Sequence, residues 1–167
     1  CISTDDIGAI VQNITGIDPW DGQNYLNYYT GTPRARLVED LCAYHTALTN
    51  PINALVRMHL DKAAPLTIEG YALYPKDISE FPADQVGRVW LVADKNVLKK
   101  RLLQNKAFFK NAADKRAFAE NFLYRSLWHN KSIYEQCQFF NQPFVMVGED
   151  DDYEAINGQV AEILLDS

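Results

Sequence analysis

The sequence predicts an α/β fold: a parallel sheet with helices on both faces, arranged as a three-layer sandwich. Two observations point there. Short β-prone runs alternate with stretches of helical periodicity, as in βαβ units. The clearest strand, Val86–Ala93, carries the unbroken apolar run Val89-Trp90-Leu91-Val92, the pattern of a strand buried on both faces.

The elements follow in order. Cys1-Ile2-Ser3-Thr4 reads as the end of a strand, entered midway. Asp5-Asp6 ahead of Ile7, Ile10, Val11 and Ile14 predicts a helix with an acidic cap. From Gly16 to Pro33 the pairs Asp18-Pro19, Asp21-Gly22 and Gly31-Thr32-Pro33 are turn signals. A connection of that length is functional or partly helical, and Trp20, Tyr25, Tyr28 and Tyr29 make it aromatic. Leu37, Leu41, Tyr44 and Leu48 recur at helical spacing, and Asn50-Pro51 predicts a break before a second helix through Ile52, Leu55, Val56 and His59. Ala64–Gly70 is β-prone. Asp94 precedes a helix through Val97, Leu98, Arg101 and Leu102, and a long helix is expected from Asp114 to about Phe140. Phe144–Val147 is a last strand. The acidic run Glu149–Asp152 caps a closing helix over Ala155–Leu165, its carboxylates meeting the positive end of the dipole.

The bulk numbers narrow the function. The chain has 167 residues, enough for a single domain over 1–167. Sixteen Lys+Arg against 22 Asp+Glu give a net charge of -6, which argues against bulk nucleic-acid binding. Three cysteines without C-x-x-C spacing argue against a disulfide scaffold. His45, His59 and His129 form no zinc pattern and are expected to be packing residues. No apolar run is long enough to span a membrane, and no leader is evident, so a cytoplasmic location is expected.

Four segments, taken in order, resemble the P-loop small-molecule and nucleotide kinases. They are Ile2-Ser3-Thr4-Asp5-Asp6-Ile7-Gly8; Leu66-Thr67-Ile68-Glu69-Gly70-Tyr71-Ala72-Leu73-Tyr74-Pro75; Val89-Trp90-Leu91-Val92-Ala93-Asp94 with Leu98 and Arg101; and Asn121-Phe122-Leu123-Tyr124-Arg125-Ser126-Leu127-Trp128-His129-Asn130 followed by Phe144–Val147. The first and last are similar to 2-phosphoglycerate-kinase-like proteins. The resemblance implies a kinase-like three-layer sandwich, ATP and Mg as cofactors, a nucleotide and a small-molecule acceptor as partners, and a lid over residues 101–125. One departure stands out. The G-x-x-x-x-G-K-[ST] loop is absent, and none of the eight glycines is followed by Lys. In such folds the first strand lies between the third and fourth, and losing it would orphan several backbone groups at about 1–3 kcal/mol each. The expectation is therefore a domain incomplete at its N-terminus, by roughly the 30 residues of a strand, loop and helix.

Candidate site residues follow from strand ends and cations. Asp5 and Asp6 sit where ligands of open α/β sheets bind. The resemblance implies that one of them orients the acceptor hydroxyl or holds Mg through water, with Asp5, nearer the strand end, leading. Helix capping is the competing role. Glu69 ends the next strand beside Gly70, which permits close backbone approach, and Glu69 is a second carboxylate for a Mg shell. Arg101, Arg116 and Arg125 bracket the lid, with Lys106 and Lys110 between them, and arginines closing over phosphates stabilise transition-state charge. For Arg125 the alternative is an ion pair with Glu120 or another acid on the same helix. Arg34 and Arg36 could hold an anionic group on the acceptor, and Tyr25 with its aromatic neighbours could wall the site. The leading expectation is an ATP-dependent phosphotransferase of a small hydroxylated metabolite or nucleotide, an antibiotic or nucleotide-sugar acceptor being a further possibility. Its rival is a binding or regulatory module of kinase-like fold without a phosphate loop.

Overall fold

The computed structural model describes residues 1–18, 20 and 22–165. In chain order the elements are β1 (Ile2–Ser3), α1 (Thr4–Thr15), α2 (Tyr25–Gly31), α3 (Arg34–Asp61), β2 (Ile68–Glu69), α4 (Pro75–Ile78), β3 (Trp90–Ala93), α5 (Lys95–Gln104), α6 (Lys115–Phe139), β4 (Phe144–Val147) and α7 (Tyr153–Leu165). The turn signals at Pro19 and Asp21 lie outside the described residues.

The expected three-layer sandwich about one central parallel sheet is not formed. Helix makes up 61% of the described residues, and the strands form two separate parallel pairs, β1 with β2 and β3 with β4. Strand length and the occupation of one strand edge account for this. Only Ile68 and Glu69 of the β-prone Ala64–Gly70 run become strand, pairing with Ile2 and Ser3, and Pro65 has no N–H to donate. The predicted strand Val86–Ala93 shrinks to Trp90–Ala93. Arg88 ties the preceding segment to loop carbonyls instead, donating to Ile78 O at 2.6 Å and Phe81 O at 2.9 Å. Along β3, Trp90 N and Asp94 N donate to the β4 side, to Pro143 O and Val147 O, so Leu91 and Ala93 turn their backbone groups to the other edge. There the Asn130 amide completes Ala93, accepting from its N–H at 2.9 Å and donating to its carbonyl at 3.0 Å.

The expected break at Asn50-Pro51 is also corrected, because α3 runs unbroken through Pro51. Proline removes one helix hydrogen bond. The stripe Leu37, Leu41, Tyr44, Leu48, Ile52 and Val56 is buried on both sides of it, and this shared burial holds both halves to one core. Capping reads as the sequence suggests at three helices. Asp94 accepts from Asn96 N, Asp114 from Arg116 N and Ala117 N, and Asp152 from Ala155 N. At α1 the cap is Ser3, whose Oγ accepts from Asp5 N, so Asp5 and Asp6 are first-turn carboxylates.

Three apolar clusters hold these pieces. The largest joins α1, α3, α4, β3 and α6 through Ile7, Leu48, Ile52, Trp90, Val92 and Ile133. A second, aromatic cluster packs Tyr28, Tyr29, Leu37 and Phe118 around α2 and the start of α6. The third sits around Val97, Val147 and Ile156, with Ala93 against it. Trp90 and Val92 in one cluster and Ala93 in another show β3 serving two faces, as alternate strand positions must.

Candidate functional site

Where α3 and α6 face each other beside the Gly70–Tyr74 turn, four aromatic rings and one cation converge. His45, 3% exposed, lies 4.9 Å from the Tyr71 ring, 5.0 Å from Tyr74 and 5.3 Å from His129. His129 Nδ1 is 3.2 Å from the Tyr74 hydroxyl. Both ring nitrogens of His45 are buried with no hydrogen-bond partner, which costs about 1–3 kcal/mol per group unless a partner arrives. Arg125 places its guanidinium 5.2 Å above the Tyr29 ring, and its charge is felt at His45, His129, Tyr71 and Tyr74. It forms no salt bridge among the described residues. No pair with Glu120 is made: five residues apart on α6, the two lie about 140° apart around the helix, and Glu120 takes Arg116 at 2.8 Å and Arg34 at 3.5 Å.

Electrostatics keep this pocket neutral apart from Arg125. Burial, then His129 and Arg125, push His45 down to about 3. Burial and Arg125 push His129 down to about 4, against a hydrogen bond with the Tyr71 backbone. Burial, with Tyr44 and Asp5 adding to it, raises the Tyr71 phenol, which therefore stays a proton donor.

The two histidines predict an acid-labile fold. Both have folded values below the ordinary 6.5, so the unfolded chain binds more protons and stability rises with pH in this range. Their contribution is intact above about pH 6.5 and is lost as pH falls through about 4 and then 3. Urea titrations between pH 7 and 4 should show a fall of up to about 1.4 kcal/mol per pH unit for each imidazole. His129→Gln should flatten that slope.

The structure distributes the sequence-derived candidates unevenly. Asp5 and Asp6 are exposed in the first turn of α1, and Asp5 reaches the pocket electrostatically through Tyr71 and Tyr44. Glu69 is exposed at the end of β2. Gly70 adopts φ 134, and a Cβ there would lie 2.0 Å from Thr4 Oγ1, so this turn is pressed against the start of α1. Arg101 is exposed in the last turn of α5, and Lys106 is exposed in the turns before α6. Arg116 is spent on Glu120. Arg34 bonds Asn121 Oδ1 at 3.1 Å and lies over the Tyr124 ring, and Arg36 pairs with Asp40 at 2.8 Å. Tyr25 donates to Phe108 O at 3.0 Å and packs on Phe118, a bond that fastens the proposed lid to α2. Asp5 and Arg125 both act electrostatically on Tyr71, the residue after Gly70, while Arg34, Arg36 and Arg116 are engaged by Glu120 or Asp40. His45 and His129 were the omission. The signal for His45 was its place between Leu41 and Leu48 on the buried stripe of α3.

The residues present do not form a cradle for ATP with Mg. Strand β1 passes to α1 through Ser3 with no intervening loop. Among the described residues no group of three or more His, Cys, Asp or Glu could hold a metal ion. No family model, curated protein or solved structure matches the chain, so the resemblance to P-loop kinases rests on the four sequence segments alone.

Proposed function

We propose that this chain binds a small hydroxylated molecule carrying an anionic group, as the acceptor-side part of a phosphotransferase. The observation that carries the reading is Arg125, a cation with no salt bridge among the described residues, set over Tyr29 beside the neutral His45–His129–Tyr71 cluster. A guanidinium offers five donors in a fixed fork suited to carboxylate or phosphate. Its attraction is stronger where neighbouring rings exclude water. On the other side, the Tyr71 hydroxyl donates and the Asp5 carboxylate accepts, the complement of a ligand hydroxyl.

Titration with glycerol phosphate, followed by calorimetry, tests the binding. Arg125→Met should weaken binding roughly 10- to 100-fold, the value of a charge-assisted hydrogen bond, while Arg101→Met should leave it unchanged. Equal affinity in the Arg125 variant would remove the site. Phosphate-ester-dependent ADP release by the polypeptide as made in the cell separates transfer from binding alone.

A further inference from the structure

A cavity of about 130 Å³ opens between α3, α4 and α6, with His45 as part of its wall. Cys42, Lys76, Asp77, Trp128 and Ser132 also line it. It lies on elements separate from Asp5 and is not lined by Arg125. Three properties define what fits. Its size is near that of an engineered cavity of about 150 Å³ that takes benzene, so it has room for about six non-hydrogen atoms. Fixed charges of both signs border it without neutralising each other. The Lys76 ammonium lies over the Tyr74 ring at 5.9 Å, the Asp77 carboxylate accepts from Thr49 Oγ1 at 3.1 Å, and neither joins a salt bridge among the described residues. His45, almost wholly buried, closes the inner wall, and its two unpartnered ring nitrogens are themselves buried rather than open to the cavity.

We infer that this cavity is a binding site for a small zwitterion of amino-acid size. Its carboxylate meets Lys76 and its ammonium meets Asp77. A singly charged ligand would leave one of the two border charges unmatched, and a purely apolar one would leave both. The cavity shares His45 and Tyr74 with the Arg125 cluster, but the two charged contacts inferred here, Lys76 and Asp77, do not belong to it.

The test uses the 167-residue chain, labelled with ¹⁵N and titrated with glycine and with alanine, alongside acetate, methylammonium and inorganic phosphate. The zwitterions should give saturable shifts at Cys42, Lys76 and Ser132, with half-saturation on the order of 1 mM. Lys76→Met and Asp77→Asn, both near the surface, should each weaken the response at least ~10-fold, and Arg125→Ala should leave it intact. The inference fails if the zwitterions give no saturable shift, as a cavity holding only water would. It also fails if acetate or phosphate binds as well as glycine, or if Arg125→Ala abolishes the response, which would place the ligand in the other pocket.

Discussion

Phe118→Ala should cost about 3–5 kcal/mol, the range for a buried phenylalanine truncated to alanine. Phe118 is 0% exposed and is the hub of the aromatic cluster, with ring centroids 5.3 Å from Tyr29, 5.5 Å from Phe108 and 6.1 Å from Tyr25. Few neighbours can collapse into the space, because they are rigid rings approaching from several directions. Domains of this kind are stable by about 5–15 kcal/mol in total, so the loss is a large fraction. Urea unfolding measures it, and Phe118→Leu, which keeps most of the volume, should cost markedly less. The effect should extend to ligand binding. Tyr29 is the ring beneath Arg125, and without Phe118 behind it the guanidinium loses its platform. A variant that unfolds at the wild-type urea concentration would show that the cluster is loosely packed.

Gly70→Ala should destabilise by roughly 2–6 kcal/mol, the sum of backbone strain at a φ that side chains rarely adopt and overpacking against a fixed neighbour. The new Cβ would sit 2.0 Å from Thr4 Oγ1 and 2.9 Å from Thr4 Cβ. Thr4 is 1% exposed and cannot swing away. Its hydroxyl has no hydrogen-bond partner, so Thr4→Ala alone should cost little. The double variant should then recover the part due to Thr4 Oγ1 and Cγ2, while the close contact with the Cβ of residue 4 and the φ strain remain, a coupling of about 1–3 kcal/mol in a double-mutant cycle. Additive effects would show that the Gly70 turn and the start of α1 are not in contact in solution. Binding should follow stability here too, since Tyr71 is next to Gly70.

Local signals were legible in the sequence and pairings across the chain were not. Asp94, Asp114 and Asp152 cap helices within a few residues of themselves, so type and spacing suffice. Whether Ile68 and Trp90 join one sheet depends on what lies against their free edges, which no window of residues reports. The same holds at the site. Arg125 is conspicuous as a cation among apolar neighbours, but the ring it lies over, Tyr29, comes from α2, almost a hundred residues away in the chain. His45 and His129 lie on α3 and α6 and meet only in three dimensions.

The amide of Asn130 has a consequence for how this protein keeps to itself. An exposed strand edge is a template on which another chain can grow, and Leu91, 54% exposed, makes this one sticky as well. By filling both hydrogen-bonding positions at Ala93, Asn130 acts as a one-residue false strand that terminates the ladder. Aggregation resistance at this edge therefore resides in a single side chain borrowed from a helix.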